Sequence, residues 1–409
     1  MAEGRQYATP VLRLAAALLA TAALAAAPTA AAVTGPLRTL VIPVTWGPEP
    51  LTEAEVQALV DRAAAFLATA SYGRMTLAAT VMPWQRAFNS APDCRSGDAV
   101  GDAARTAAAS AGVAPNGFAR RVYLLPFDAA SCNAEMPFAY AVRRDVTLVG
   151  LFEPMSLVHE LGHTLALGHA KARVCSRVCV AEEYGDPWDV MAFGSGDFNP
   201  FEKAIAGWLG EPTVVRADGD YVLDQFELPS ALPQALVVPT GRGELWIDHR
   251  EPLGNDASLP PAAFGGIEVR QRLPAILSSG LGLHPTLLLA GPNETFELPG
   301  TFSAAVVGRS GTTVQVRFRW LDRTPPASAR IGRPARRPDG LRLRWHAAFD
   351  ADSGVDHYDV FLDGTRVATT ANTRETVSIP RIGPHTLRVV AIDRAGNRGL
   401  AAARRFVLR

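Results

Sequence analysis

The sequence has no excess of either charge, because its 409 residues include 40 Lys and Arg and 40 Asp and Glu. Proteins that bind nucleic acid or an anionic membrane usually carry a basic excess, so we expect neither partner. Beyond the N-terminal region the sequence also lacks an apolar run long enough for a membrane-spanning helix, which needs about 20 residues. Composition therefore favours a globular protein, and the length suggests two to three domains of about 150 residues each.

Cysteine and histidine are both scarce, at four and eight residues. Four cysteines are an even number, as in exported proteins that form disulfides, and they allow three pairings. Cys175 and Cys179 are close in sequence, and Cys94 and Cys132 bracket one segment, so we expect these two disulfides. A structural zinc site is the alternative, but it needs more nitrogen or sulfur ligands than the surroundings of Cys175 offer.

The N-terminus has the parts of a secretory signal peptide. Arg5 and Arg13 precede an uncharged stretch built mainly of Leu and Ala, 14–27, which Pro28 interrupts before the small residues 30–32. We expect residues 1–32 to be removed and the protein to be secreted, with no stable insertion in a membrane. An uncleaved anchor is the alternative, but the apolar stretch is short for one.

Changes in the predicted secondary structure and in Gly and Pro content divide the remaining chain into three domains and a linker. Residues 36–212 mix predicted strands with a predicted helix at 52–69, which Thr52 and Glu55 begin as a capping box. Residues 213–322 show short strand patterns separated by Gly and Pro, which predicts an all-β domain. A Pro- and Arg-rich linker, 323–338, leads to residues 339–409, where apolar positions alternate as in half-buried strands. We therefore predict an α+β domain, an all-β domain and a C-terminal β-sandwich.

Residues 159–169, HELGHTLALGH, carry the pattern of a catalytic metal site. His159 and His163 are one helical turn apart and therefore share a helix face, where both can bind one zinc ion. Glu160 lies beside the first ligand and can act as general base on a water molecule. His169 supplies the third protein ligand that catalytic zinc usually takes. Surface histidines on an ordinary helix are the alternative, but three of the eight histidines fall within this one segment.

These residues resemble the extended zinc-binding motif of the metzincin metallopeptidases. Residues 183–193, EYGDPWDVMAF, are similar to the Met-turn of that clan, with Met191 as the methionine beneath the zinc. The sequence of this segment, and that of residues 66–77, FLATASYGRMTL, is most similar to the gametolysin family of secreted peptidases. The resemblance covers about residues 37–320. It implies a zincin catalytic domain with one catalytic Zn²⁺, a β-rich domain after it, and protein or peptide substrates.

The sequence departs from the metzincin pattern at two positions. Ala166 stands where these enzymes usually have glycine, and an L-residue there costs about 1–2 kcal/mol to turn left-handed. We therefore expect Gly168 to carry the turn that brings His169 back to the metal. Phe193 stands where some metzincins have a tyrosine, so no phenolic ligand or oxyanion donor is expected there, and Tyr184 is the candidate replacement.

Another ligand set uses Glu182 or Glu183 as the third metal ligand. That arrangement is known in zincins that place a glutamate on a later helix, but it would leave His169 and Met191 without a role. Calcium is a candidate second ion at Asp218-Gly219-Asp220, although the pattern is also that of a turn and gives the ion no further support.

The last domain resembles a fibronectin type III module. The resemblance rests on Trp345 and on residues 354–364, GVDHYDVFLDG, and 385–397, HTLRVVAIDRAGN. His385 stands where such modules usually carry a corner tyrosine.

Together these features predict a secreted, monomeric zinc endopeptidase that hydrolyses extracellular or cell-wall proteins. The alternative is a secreted adhesion or binding protein that uses the zincin domain as a scaffold. The terminal module favours that alternative, and the retained Glu160 argues against it, because a scaffold needs no general base.

Overall fold

The structure is a computed structural model that describes residues 32–175, 179–272, 285–288 and 293–409. The expected signal peptide, 1–32, therefore lies outside the described residues except for Ala32. Within these ranges the chain is mostly β with few helices, and its buried apolar residues form several separate clusters, as in a multidomain protein. The helices described are too short or too polar to cross a membrane. They are α1 (Glu53–Ala70), α2 (Gly97–Ser110), α3 (Ala129–Cys132), α4 (Pro154–Thr164) and α5 (Pro200–Ile205).

The first part of the chain forms a mainly parallel sheet. Its strands are β1 (Gly35–Thr45), β2 (Met75–Val81), β3 (Gln85–Arg86), β4 (Arg120–Leu125), β5 (Phe138–Val142) and β6 (Asp145–Val149). The order is β2-β1-β4-β6-β5, with β3 also on β1, and only β5 runs antiparallel to its neighbour. Most of β1 is buried, which fits a strand covered on both faces.

Helices cover the two faces of this sheet. On one face α1 and α4 enclose a core with β1, β2 and β4, and the predicted capping box of Thr52 and Glu55 begins α1. On the other face α2 packs over a second core that contains the disulfide between Cys94 and Cys132. The sheet thus gives α4, which carries the first two histidines, a rigid support.

A second sheet joins strands from both sides of residue 212, the expected domain boundary. Its strands are β7 (Lys171–Cys175), β8 (Cys179–Glu182), β9 (Thr213–Val214), β11 (Leu236–Thr240), β12 (Gly243–His249), β13 (Ile267–Arg272) and β14 (Thr286–Leu287). The order is β8-β7-β14-β13-β12-β11-β9. The hairpin of β7 and β8, tied by the disulfide between Cys175 and Cys179, therefore extends the sheet of the following β region.

A third sheet packs on the second. It contains β10 (Gly219–Asp224), β15 (Thr295–Leu298), β16 (Phe302–Ser310) and β17 (Thr313–Trp320), in the antiparallel order β10-β17-β16-β15. Leu223 and Val316 on this sheet pack against Val238, Ile247 and Val269 on the other. The sequence pattern did not predict β16, whose Ala and Gly residues weaken the usual strand signal.

The C-terminal part is a sandwich of two sheets. Its strands are β18 (Arg330–Ile331), β19 (Ala335–Arg337), β20 (Gly340–His346), β21 (Val355–Leu362), β22 (Thr365–Thr370), β23 (Arg374–Val377), β24 (Gly383–Asp393) and β25 (Ala402–Leu408). Trp345 on β20 contacts Tyr358 on β21 across the core, with ring centroids 5.5 Å apart. The expected linker, 323–338, contains β18 and β19, and both pair with β20. Part of that segment therefore belongs to the sandwich, held by backbone hydrogen bonds that its Arg-rich sequence does not predict.

Buried charges attach the first part of the chain to the second sheet. Arg270 on β13 donates hydrogen bonds to Asp248, at 2.5 Å, and to Asp186, at 3.1 Å. Lys203 on α5 donates to Asp197 at 2.7 Å. All five side chains are essentially inaccessible to solvent. Removing one partner would leave an uncompensated buried charge, so the bond between Arg270 and Asp186 holds the segment after β8 firmly against β13.

Candidate metal centre

Helix α4 places His159 and His163 one turn apart on one side, with ring centroids 4.8 Å apart. Leu157 and Leu161 lie on another side of the same helix and are buried in the core under the sheet. The histidines and the leucines lie on different sides because residues four apart in sequence lie one above the other on a helix. The core therefore fixes the direction in which the two imidazoles point.

The helix ends in a turn that brings His169 back to the other two histidines. Ala166 adopts a left-handed conformation, with φ of 67°. The amide of Leu167 donates to the carbonyl of Gly162, and that of Ala166 donates to the carbonyl of His163, which is the hydrogen-bond pattern of a Schellman motif. The expectation that Gly168 carries this turn is therefore wrong, because the helix-ending bonds require the left-handed residue at Ala166.

The three histidines converge on one point. Their candidate ligand atoms all lie within 4.8 Å of one another, and the Nε2 atoms of His163 and His169 are 3.1 Å apart. Each Nδ1 contacts a group that only accepts hydrogen bonds: the Val190 carbonyl at 2.8 Å from His159, the Leu167 carbonyl at 3.0 Å from His163, and the Glu183 carboxylate at 2.9 Å from His169. Each Nδ1 must therefore carry the proton, and in the neutral ring Nε2 is the atom that can bind a metal.

Burial shifts the pKa values of His159 and Glu160 in opposite directions. Desolvation lowers the pKa of His159 to about 4, so this imidazole is neutral at neutral pH, as a metal ligand must be. Desolvation also raises the pKa of Glu160 to about 7. Oε2 of Glu160 is buried and has no hydrogen-bond partner among the residues described. Three imidazole nitrogens beside an unpaired carboxyl oxygen are a donor set that fits zinc and a water molecule.

Met191 lies directly beneath α4. Its Sδ packs against Gly162 so closely that a β-carbon on that glycine would collide with it. The carboxylate of Asp189 organises this turn, accepting from the amide of Met191 at 2.7 Å and from the side chain of Asn199 at 2.7 Å. Asp189 was not among the residues predicted from the sequence, although Asp side chains commonly stabilise turns by bonding to the backbone two residues on.

Glu183 lies behind His169. Besides its bond to Nδ1 of His169, its carboxylate accepts from Nζ of Lys171 at 2.7 Å, and this bond and the one to His169 lower its pKa. Glu182, the other glutamate of the alternative ligand set, is an exposed residue at the end of β8. Nothing in the sequence distinguishes a carboxylate that orients a ligand from one that is a ligand, so only the fold assigns Glu183 this contact.

Two aromatic rings continue outward from the histidines. The ring of Tyr184 lies 4.1 Å from that of His169, and the ring of Phe193 lies 4.5 Å from that of Tyr184 with an angle of 24° between them. Phe193 is 85% exposed. Tyr184, the candidate replacement for the missing tyrosine, is thus close to the metal-binding residues, and Phe193 covers its outer face.

The other acidic candidates have protein partners. Asp218 accepts from the amide of Trp320, and Asp220 accepts from Arg317, so both carboxylates bond to β17. A second group of carboxylates lies in the terminal sandwich, where oxygens of Asp322, Asp350 and Asp393 fall within 4.8 Å of one another. All three accept hydrogen bonds from protein donors, Asp322 from Ser353, Asp350 from Gly354 and Asp393 from Asn397, and we assign no ion to them.

No family model matches this sequence, and no curated protein matches it. Among solved structures, metalloproteinase-II from Bacteroides fragilis is 13% identical, with a TM-score of 0.30 over 44% of this chain and 54% of that one. The spore cortex lytic enzyme SleM from Clostridium perfringens is also 13% identical, with a TM-score of 0.20 over 28% of this chain and 38% of that one. Fibronectin(III)-like modules of Clostridium thermocellum CbhA are 12% identical, with a TM-score of 0.16 over 49% of this chain and 90% of those modules.

This chain thus spans little more than half the length of the matched metalloproteinase and less than half that of the lytic enzyme. What the site can do therefore rests on its own geometry.

Proposed function

We propose that this protein is a zinc-dependent endopeptidase in which His159, His163 and His169 hold the metal and Glu160 is the general base. The observation that carries the proposal is the convergence of three histidines whose Nδ1 atoms all donate to acceptors, beside a buried glutamate with an unpaired oxygen. A zinc ion held there would polarise a peptide carbonyl and make a water molecule more acidic.

Residues of the chain would transfer the proton, orient the metal ligands and support the site. Glu160 accepts the proton of the attacking water and delivers it to the amine that leaves, which suits a carboxyl whose pKa lies near 7. Glu183 and the carbonyls of Val190 and Leu167 orient the three imidazoles. Met191 supports the floor of the site from below and takes no part in proton transfer.

The proposal includes the family and the setting that the motifs imply. The HELGHTLALGH and EYGDPWDVMAF segments support a metzincin peptidase of the gametolysin type, secreted after removal of residues 1–32 and acting as a monomer on extracellular or cell-wall proteins. The disulfides Cys94–Cys132 and Cys175–Cys179 are compatible with an extracellular location. The terminal sandwich would hold the enzyme near its substrate.

The test is hydrolysis of an unfolded protein such as reduced, alkylated casein by the full chain loaded with zinc. We expect a chelator to abolish cleavage and zinc to restore it. Glu160→Gln should lower the rate by about a hundred- to ten-thousandfold with zinc still bound, because it removes the general base and keeps the shape. Glu153→Gln, an exposed glutamate at the start of the same helix, is the matched control and should retain activity.

A scaffold without catalysis is the competing hypothesis, and the terminal sandwich is the feature that favours it. If folded, zinc-loaded wild type cleaves nothing, or if Glu160→Gln cleaves as well as wild type, the peptidase proposal fails.

A further inference from the structure

Phe193 presents an open aromatic face beside the metal-binding residues. Its ring is 85% exposed, and it is the outer member of a row of three rings that begins at His169 and continues through Tyr184. Tyr184 packs against the apolar core between the first sheet and helices α1 and α4, so the row of rings is anchored. Phe193 therefore exposes an aromatic face that only the ring of Tyr184 separates from His169.

The backbone holds Phe193 in this position. The carbonyl of Asp189 accepts hydrogen bonds from the amides of Ala192 and Gly194, the residues on either side of it. A β-carbon on Gly194 would lie 2.6 Å from the amide nitrogen of Asp189, so the turn is closed tightly enough to require glycine. Asp189 is in turn buried and bonded to Asn199. Phe193 is thus an exposed aromatic side chain on a rigid turn, an arrangement suited to binding because little order is lost when a ligand contacts it.

We propose that Phe193, backed by Tyr184, is a substrate subsite that binds an aromatic or large aliphatic side chain of the polypeptide close to the bond that is cut. This inference rests on the peptidase function proposed above. A flat ring offers stacking and edge contacts to another aromatic group. The exposed phenyl ring carries no hydrogen-bonding group, which favours an apolar side chain of a polypeptide over a sugar.

Binding to the catalytically disabled chain tests the subsite directly. Zinc-loaded Glu160→Gln would be titrated with fluorescein-labelled peptides of one Gly-Ser-Ala frame, in which a single position is Phe, Leu, Ala or Ser. We expect tighter binding of the Phe and Leu peptides. Adding Phe193→Ser should weaken binding of the Phe peptide about two- to tenfold and leave the Ala peptide unchanged, since an aromatic contact of this size is lost. Phe193→Tyr should keep the preference.

Phe349→Ser in the same background is the matched control, because Phe349 is also exposed, at 64%, but lies in the terminal sandwich. It should bind all peptides as the parent does. Tyr184→Phe retains the ring and should preserve the preference, whereas Tyr184→Ser removes the support and should reduce it. Equal binding of the Phe and Ala peptides, or an equal loss for both in Phe193→Ser, overturns the subsite. Phe193-dependent binding of N-acetylglucosamine oligomers without any peptide preference overturns it in favour of a glycan.

Hydrolysis by the wild type separates this inference from the proposed function. Cleavage of the peptides without a Phe193-dependent preference in binding or in kcat/KM leaves the peptidase intact and overturns the subsite. A Phe193-dependent preference in binding, with no cleavage by zinc-loaded wild type, supports a polypeptide-binding site at Phe193 and overturns the peptidase proposal.

Discussion

Gly162 and Met191 are in direct contact, with the sulfur of Met191 occupying the space that a β-carbon on Gly162 would need. The contact joins the helix that carries His159 and His163 to the turn that follows Tyr184. Met191 is completely buried, and the ring of Phe198 also lies 3.4 Å from the position that this β-carbon would take. The glycine is therefore required by close packing, and its conformation is ordinary helix.

We expect Gly162→Ala to destabilise the protein and weaken zinc binding. Alanine improves helix propensity by about 1 kcal/mol, but overpacking a filled core costs about 1–3 kcal/mol and pushes Met191 away from the helix. Thermal unfolding and zinc titration would measure both effects. Gly210→Ala, at an exposed glycine with no neighbours within 4 Å, is the control. A Gly162→Ala protein as stable as wild type, with unchanged zinc affinity, would show that Met191 can move freely.

Ala166→Gly should stabilise the protein by about 1 kcal/mol, because Ala166 holds a left-handed conformation that costs an L-residue about 1–2 kcal/mol. Glycine adopts this conformation without the clash, and part of the gain is lost to its more flexible unfolded chain. Chemical unfolding of zinc-free protein would measure the change. Ala109→Gly, at an exposed position within α2, should have the opposite sign. Destabilisation by both substitutions would contradict the assigned turn.

Glu183→Ala should lower zinc affinity about ten- to a hundredfold, because the carboxylate orients His169 and stabilises its metal-binding tautomer. Competition with a chromophoric chelator would measure the affinity. Glu182→Ala, at the exposed neighbouring residue, should bind zinc as wild type does. Complete loss of zinc from the Glu183 variant would instead indicate that this carboxylate is itself a ligand.

Glu202 on α5 should make the protein less stable as pH rises. Burial, together with the nearby carboxylates of Asp189 and Asp186, raises its pKa well above the usual value. The folded state then keeps a proton that the unfolded state releases, so stability falls as pH increases from the ordinary glutamate range towards the raised pKa. Glu202→Gln has no such proton and should gain stability over wild type at pH 8 but little at pH 4.

Urea unfolding at a series of pH values would test this, with Glu211→Gln, an exposed glutamate, as the control. A stability difference between Glu202→Gln and wild type that does not change with pH would show that Glu202 is ionised in the folded protein.

The sequence alone determined the features that depend on local spacing. The capping box at Thr52 and the helix after it follow from side-chain chemistry within a few residues. The pairing of His159 with His163 follows from the period of the helix, and the alternating strands of the terminal sandwich follow from the period of the pleat. These features need no knowledge of the rest of the chain, because each is decided by neighbours within one or two turns.

The tertiary structure decided what depends on residues distant in sequence. It placed the turn at Ala166, because the Schellman hydrogen bonds fix which residue must be left-handed. It brought Glu183 behind His169, closed the turn around Phe193 through Asp189, and extended one sheet across residue 212 by pairing β7 with β14. The sequence near a carboxylate, an aromatic ring or a strand edge does not show which distant residue it will contact. Their partners are chosen by packing and by the need to satisfy buried polar groups.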